Sequence, residues 1–121
     1  MGNPFVHVEL QTNDVARAKQ FYASLLDWQL EEIPFDGGSY TMVHVGEGVG
    51  GGMMKSPVPG CPSHWLAYIS VADVAATTQK AKELGATVLC DRAEVPGFGW
   101  FSVITDPTGA VVALWECKKT E

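Results

Sequence analysis

An α+β fold built from two successive β-α-β-β-β units is what this sequence predicts, on three observations. Two strand-then-helix patterns recur at a constant offset of 59 residues. Each is followed by three further strand-like runs, set apart by glycine, proline and aspartate breaks. Between the two series lies a proline-rich stretch, Ser56-Pro57-Val58-Pro59-Gly60-Cys61-Pro62, where fixed φ angles and missing donors favour a connector.

In chain order, Phe5 to Gln11 reads as the first strand and runs into Thr12-Asn13-Asp14. Val15, Ala18, Tyr22 and Leu25 then fall at the 3-4-3 spacing of an amphipathic helix. Trp28–Ile33, Tyr40–Val45 and Val49–Met54 are the next strand candidates. The second series opens with Trp65 to Val71, then Asp73 and the helical positions Val74, Thr77, Ala81 and Leu84. It continues through Thr87–Asp91, Trp100–Thr105 and Val111–Cys117. Asp14 and Asp73 obey the same offset, and each is placed to cap its helix by accepting an orphan N–H. Gly85 suits a left-handed C-cap. The expected organisation is one domain: a first module over about 4–55, a connector at 56–62 and a second module over about 63–118.

Composition narrows the function. A chain of 121 residues, 46% of them apolar, can bury one core and not two. Its net charge of −6 and eight scattered basic residues speak against nucleic acid and anionic membranes. No apolar run approaches the roughly 20 residues that span a bilayer. Met1-Gly2-Asn3-Pro4 lacks the basic start of a signal peptide, and three cysteines without CxxC spacing read as reduced thiols. A cytoplasmic protein is expected.

Two motifs fail on context. Gly46, Gly48 and Gly51 satisfy G-x-G-x-x-G, yet a strand and a proline-rich loop follow, not the helix a dinucleotide site needs. Cys61 and His64 form one C-x-x-H pair with no second pair at zinc spacing. Neither G-x-S-x-G nor a Cys–His nucleophile pairing is evident.

The paired units, with Asp14-Val15, Phe21-Tyr22, Leu26-Asp27-Trp28, Val71-Ala72-Asp73-Val74, Leu84-Gly85-Ala86 and Asp106-Pro107-Thr108-Gly109-Ala110, resemble the vicinal-oxygen-chelate superfamily. That superfamily holds glyoxalases, bleomycin-resistance proteins and ring-cleaving dioxygenases. The resemblance implies curved mixed sheets, each unit forming half of a cup that holds the substrate. Metal-dependent members place a histidine in the first strand of each unit and a carboxylate in the last. His7 matches the first position. Its counterpart one repeat on is Leu66, and the second-unit carboxylate position is Ala113. Gly50–Met54, the first-unit carboxylate region, contains no carboxylate, imidazole or thiol. Glu116 stands at an odd offset from Ala113 and so points to the opposite face of a regular strand.

Strand alternation then puts Phe5, His7, Glu9 and Gln11 toward the cup, with Val6, Val8 and Leu10 toward the helix. In the second unit His64, Leu66, Tyr68 and Ser70 face inward, as do Val111, Ala113 and Trp115. Glu9 is the candidate catalytic residue, because a carboxylate in a semi-apolar cup suits acid–base work. The bland alternative is a Glu9 paired with Tyr68 or His7. His7, Glu9, His64, Tyr68, Trp100 and Trp115 are the candidate ligand contacts, although both tryptophans also suit a core.

The expectation is a metal-free, small-molecule-binding homodimer with no cofactor. The alternative is a metal-dependent lyase, isomerase or dioxygenase holding zinc, nickel, iron or manganese on His7, His64 and Glu116. A third class is an interaction module with an empty cup. The dimer expectation rests on Met42, Met53, Met54, Trp65, Phe98, Trp100, Phe101 and Trp115, many large apolar side chains for one small domain.

Overall fold

The computed structural model describes residues 2–35, 38–58 and 60–118, which hold eight strands and two helices. Their contacts group into two compact units, His7–Leu66 and Ala67–Glu121, the latter joined by Met1–Val6. The first residues belong there because Pro4 O accepts from the Ser70 amide and Asn3 donates to Ser70 O, both at 2.9 Å.

In the unit His7–Leu66, β1 (Phe5–Thr12) leads through Asp14 into α1 (Val15–Leu25). Asp14 Oδ1 accepts from the Arg17 amide at 3.0 Å, the expected N-cap. β2 (Gln29–Phe35), β3 (Gly38–His44) and β4 (Gly51–Lys55) follow, in the lateral order β2-β3-β4-β1. β4 runs parallel to β1 and the other pairings are antiparallel, so the sheet is mixed. Gly46 and Gly48 take φ of 97° and 102° in the bend before β4, and the glycine motif opens a strand as its context required. Leu10, Val43 and Met53 form the core beneath α1, with Val15, Ala18 and Tyr22 packed on it. Leu25, the last member of the expected helical stripe, is exposed. Trp28, stacked on Tyr22 with ring centroids 5.5 Å apart, covers that end of the core instead.

The other unit repeats the plan. β5 (His64–Ser70), which starts in the first unit, leads through Asp73 into α2 (Val74–Glu83); β6 (Thr87–Val95), β7 (Gly99–Thr105) and β8 (Val111–Cys117) follow. The order is β5-β8-β7-β6, with β5 and β8 parallel. Asp73 caps α2 through the Ala76 amide at 3.1 Å, and Gly85 ends it at φ 104° as expected. Val74, Ile104 and Leu114 form the core under this helix, while Leu84 is exposed and Thr78 is buried in its place.

β6 departs from expectation. It continues past Asp91 to Val95, with register shifts between Val88 and Cys90 and between Cys90 and Ala93, and with Arg92 at φ 41°. The Arg92 amide donates to the buried Ser102 Oγ at 3.0 Å, which holds this bulge. Among the described residues, no helix is long and apolar enough to cross a membrane.

Candidate functional site

Alternation along β1 separates two environments. Leu10 turns to the helix-side core, and Glu9 turns to the opposite face, where it is nevertheless only 5% exposed. A carboxylate taken out of water costs several kcal/mol unless donors replace its hydration. Here Tyr40 O–H donates to Glu9 Oε1 at 2.9 Å and Gln11 Nε2 donates to Oε2 at 2.8 Å. His7 Nε2 lies 2.8 Å from the Tyr40 oxygen, so imidazole, phenol and carboxylate form one continuous chain. The rings of His7 and Tyr40 stack at 24° with centroids 6.3 Å apart. Burial lowers the pKa of His7 below its ordinary value, and the Glu9 charge opposes that shift. Burial thus favours the neutral imidazole.

Tyr40 comes from β3, and β4 lies between β3 and β1. Its ring passes over Gly52, which is paired with both Glu9 and Met42. A Cβ on Gly52 would sit 1.9 Å from the Tyr40 oxygen. The close approach expected of this glycine-rich strand thus has a specific occupant, a phenol reaching a carboxylate. Tyr40 is the site residue that sequence reasoning missed. Its only signal was its parity with Met42 and His44 on a strand beside a glycine run.

The remaining predicted residues lie as follows. His64 begins β5, with Nδ1 at 2.9 Å from Pro62 O and 4.0 Å from Cys61 Sγ. The C-x-x-H spacing thus brings thiol and imidazole near one another, though the carbonyl takes the Nδ1 hydrogen. In the other unit Tyr68 is buried and packs against Phe101 and Trp115, which share its face of the sheet. Trp100 does not join them. One residue from Phe101, it turns to the helix-side core, with Arg92 and Lys118 over its ring at 5.0 and 5.2 Å. Its grouping with cup-facing residues is corrected by that parity. Met53, counted toward a dimer surface, is fully buried in the core.

The residues do not fit the family's metal site. Leu66 and Ala113 are buried at two of its ligand positions and carry no donor. Glu116 faces α2, where its Oε1 accepts from the Val74 amide at 2.9 Å, as its odd offset required. Among the described residues, no three His, Cys, Asp or Glu side chains gather as a metal would need, so the set His7, His64 and Glu116 is not assembled. His44 is exposed and meets Glu31 at 3.0 Å.

A concavity of about 270 Å³ opens on the helix side of the first unit and is lined by Val8, Trp28, Val43, Val45, Val49 and Trp65 beside Gly50 and Gly51. Its lining, among the described residues, is apolar.

Comparison with known proteins agrees with this architecture. "Putative glyoxylase CFP32" of Mycobacterium bovis is 38% identical over 120 residues, which cover 93% of this chain and 45% of that protein. "Anthracycline biosynthesis protein DauV" of Streptomyces sp. is 28% identical over 122 residues, 88% of this chain and 44% of that protein. The chain therefore spans less than half the length of these curated relatives. Among solved structures, hypothetical protein BH1468 from Bacillus halodurans superposes with a TM-score of 0.75 at 15% identity, covering 100% of this chain and 99% of that one. Methylmalonyl-CoA epimerase from Mycobacterium tuberculosis gives 0.71 at 17% identity, over 95% and 88%. The model of the Glyoxalase/Bleomycin resistance protein/Dioxygenase superfamily matches residues 5–114, and the chain belongs to that superfamily.

Proposed function

We propose that this chain binds a small molecule without a resident metal, against the sheet face that carries His7, Glu9, Gln11 and Tyr40. The observation that supports this most is Glu9. Its carboxylate is buried on the side away from the helix core, and tyrosine and glutamine donors hold it there. A hydrophobic residue at this position would avoid the desolvation cost of a carboxyl group. The donor-poor Leu66 and Ala113 positions support the metal-free part of the reading.

A second reading is favoured by the relative named as a glyoxylase. In it the chain is a glyoxalase-like lyase or isomerase, and Glu9 moves a proton on the bound substrate. Elemental analysis and a thermal-shift screen of small amphipathic compounds separate the two. The first reading expects no stoichiometric zinc, nickel, iron or manganese. It also expects compounds that raise the melting temperature of the wild type and not of Glu9→Gln. One equivalent of metal, lost in His7→Ala, would overturn it.

We further propose a homodimer. Phe21 and Leu25 on α1, Leu26 just after it and Trp65 are all exposed, a large apolar area for one small unit to leave in water. Sedimentation at micromolar concentration should give twice the 13.0 kDa chain mass, and a single species at the chain mass refutes the dimer.

A further inference from the structure

We propose that Tyr40 is a positioning residue that locks His7 in its Nε2–H tautomer, and that Gly52 is glycine so that Tyr40 can do this. Tyr40 has one hydroxyl hydrogen, and it is donated to Glu9 Oε1. The Tyr40 oxygen is then an acceptor toward His7 Nε2, 2.8 Å away, and the hydrogen of that contact has to come from the imidazole. A neutral imidazole has a single N–H, so Nδ1 bears the lone pair.

The geometry is built, not incidental. A phenol from β3 can meet β1 only by crossing β4, and it crosses where β4 has no side chain. At Gly52 a Cβ would lie 1.9 Å from the Tyr40 oxygen and 2.2 Å from Cζ. His7 and Glu9 come from β1, Tyr40 from β3 and Gly52 from β4, so the tautomer is fixed by sheet register and not by local sequence.

The consequence is one of specificity. Any group that meets Nδ1, whether of the protein or of a ligand, has to bring a hydrogen or a Lewis acid; a carbonyl or carboxylate oxygen is repelled. If the binding face proposed above is right, this selects ligands that offer an O–H or N–H to His7. Only that clause rests on the binding proposal.

The test uses the whole chain labelled with ¹⁵N-histidine. Two-bond ¹H–¹⁵N correlation at about pH 8.5, where imidazoles are neutral, distinguishes the N–H nitrogen from the lone-pair nitrogen. A His7→Gln spectrum assigns the His7 signals among the three histidines. The wild type should show His7 as one Nε2–H tautomer. Tyr40→Phe keeps the ring and removes the lock, and should raise the Nδ1–H population several-fold. Gly52→Ala should do the same by displacing the ring; should it fail to fold, Tyr40→Phe carries the test alone. A His7 that is Nδ1–H in the wild type, or a tautomer ratio unmoved in Tyr40→Phe, overturns the proposal. Neither result depends on ligand, so failure here is distinct from a Glu9→Gln that leaves thermal shifts unchanged.

Discussion

Tyr40 meets Glu9 across an intervening strand, 2.9 Å from hydroxyl to carboxylate, because the residue beneath its ring is Gly52. The first prediction follows from that clearance. Gly52→Ala puts a methyl into occupied space and should cost about 1–3 kcal/mol, the usual range for overpacking. Gly38→Ala is the control, since a Cβ there meets nothing within 4 Å; it should stay within about 0.5 kcal/mol of wild type. Urea denaturation with unchanged m-values checks both. Equal midpoints would show that the Tyr40 ring moves aside at little cost.

How much of this was legible in the sequence depended on how local the determinant was. The caps at Asp14 and Asp73, the turn at Gly85 and the opposite facing of Glu9 and Leu10 all follow from spacing within one element. So did the outward turn of Glu116, which needs only parity along β8. Tyr40 was not legible, because its partner lies two strands away and the β3-β4-β1 register is not written in any short window. The extension of β6 was hidden for the same reason. Its bulge at Arg92 depends on a hydroxyl ten residues on, at Ser102. Trp100 was open between ligand contact and core because aromatic character says nothing about facing; the β7–β8 register, which pairs Trp100 with Glu116, decides for the core.

A second prediction concerns the buried hydroxyls of the other unit. Thr78 Oγ1 donates to Val74 O at 2.6 Å and lies 2.8 Å from Ser102 Oγ. Its one hydrogen is committed to the carbonyl, so Ser102 donates to Thr78 while accepting from the Arg92 amide. Ser102→Ala leaves that amide and its left-handed residue unsupported, and should cost about 1–3 kcal/mol. Thr78→Val should cost a similar amount. The double variant should cost less than the sum of the two, because they break one shared network. Strict additivity in denaturation would refute the network.

Asp106 gives a third. Its carboxylate accepts from the Thr108 hydroxyl at 2.7 Å and from the Thr108 and Ala110 amides at 2.8 and 3.1 Å, closing the turn before β8. The Thr108 hydroxyl is the largest influence, followed by the backbone amides, and together they lower its pKa below the usual aspartate value. A depressed carboxylate contributes stability that is present above the unfolded value, about 3.9, and lost as pH falls through the folded one. Asp106→Ala should therefore flatten the acid limb of melting temperature against pH below about pH 4, relative to wild type. Parallel acid limbs would remove the turn carboxylate as the cause.

The last prediction turns on the sign of the His7 shift. Burial disfavours the imidazolium and Glu9 favours it; burial is the larger, so the folded pKa lies below the ordinary value of 6.5. Above that value neither the folded nor the unfolded chain protonates His7, and it makes no contribution to pH dependence. As pH falls below about 6.5, the unfolded chain takes up the proton first, and stability declines until the folded His7 titrates as well. Melting temperature should thus fall more steeply between about pH 7 and pH 5 for wild type than for His7→Gln, which has nothing to titrate there. Glu9→Gln sharpens the test. Removing the charge that favours imidazolium lowers the folded value further, so the decline should continue to lower pH while starting at the same point. If acidification stabilised the wild type relative to His7→Gln, Glu9 and not burial would dominate at His7. The imidazole would then be a charged partner of that carboxylate, and the neutral hydrogen-bond chain through Tyr40 would not describe the site.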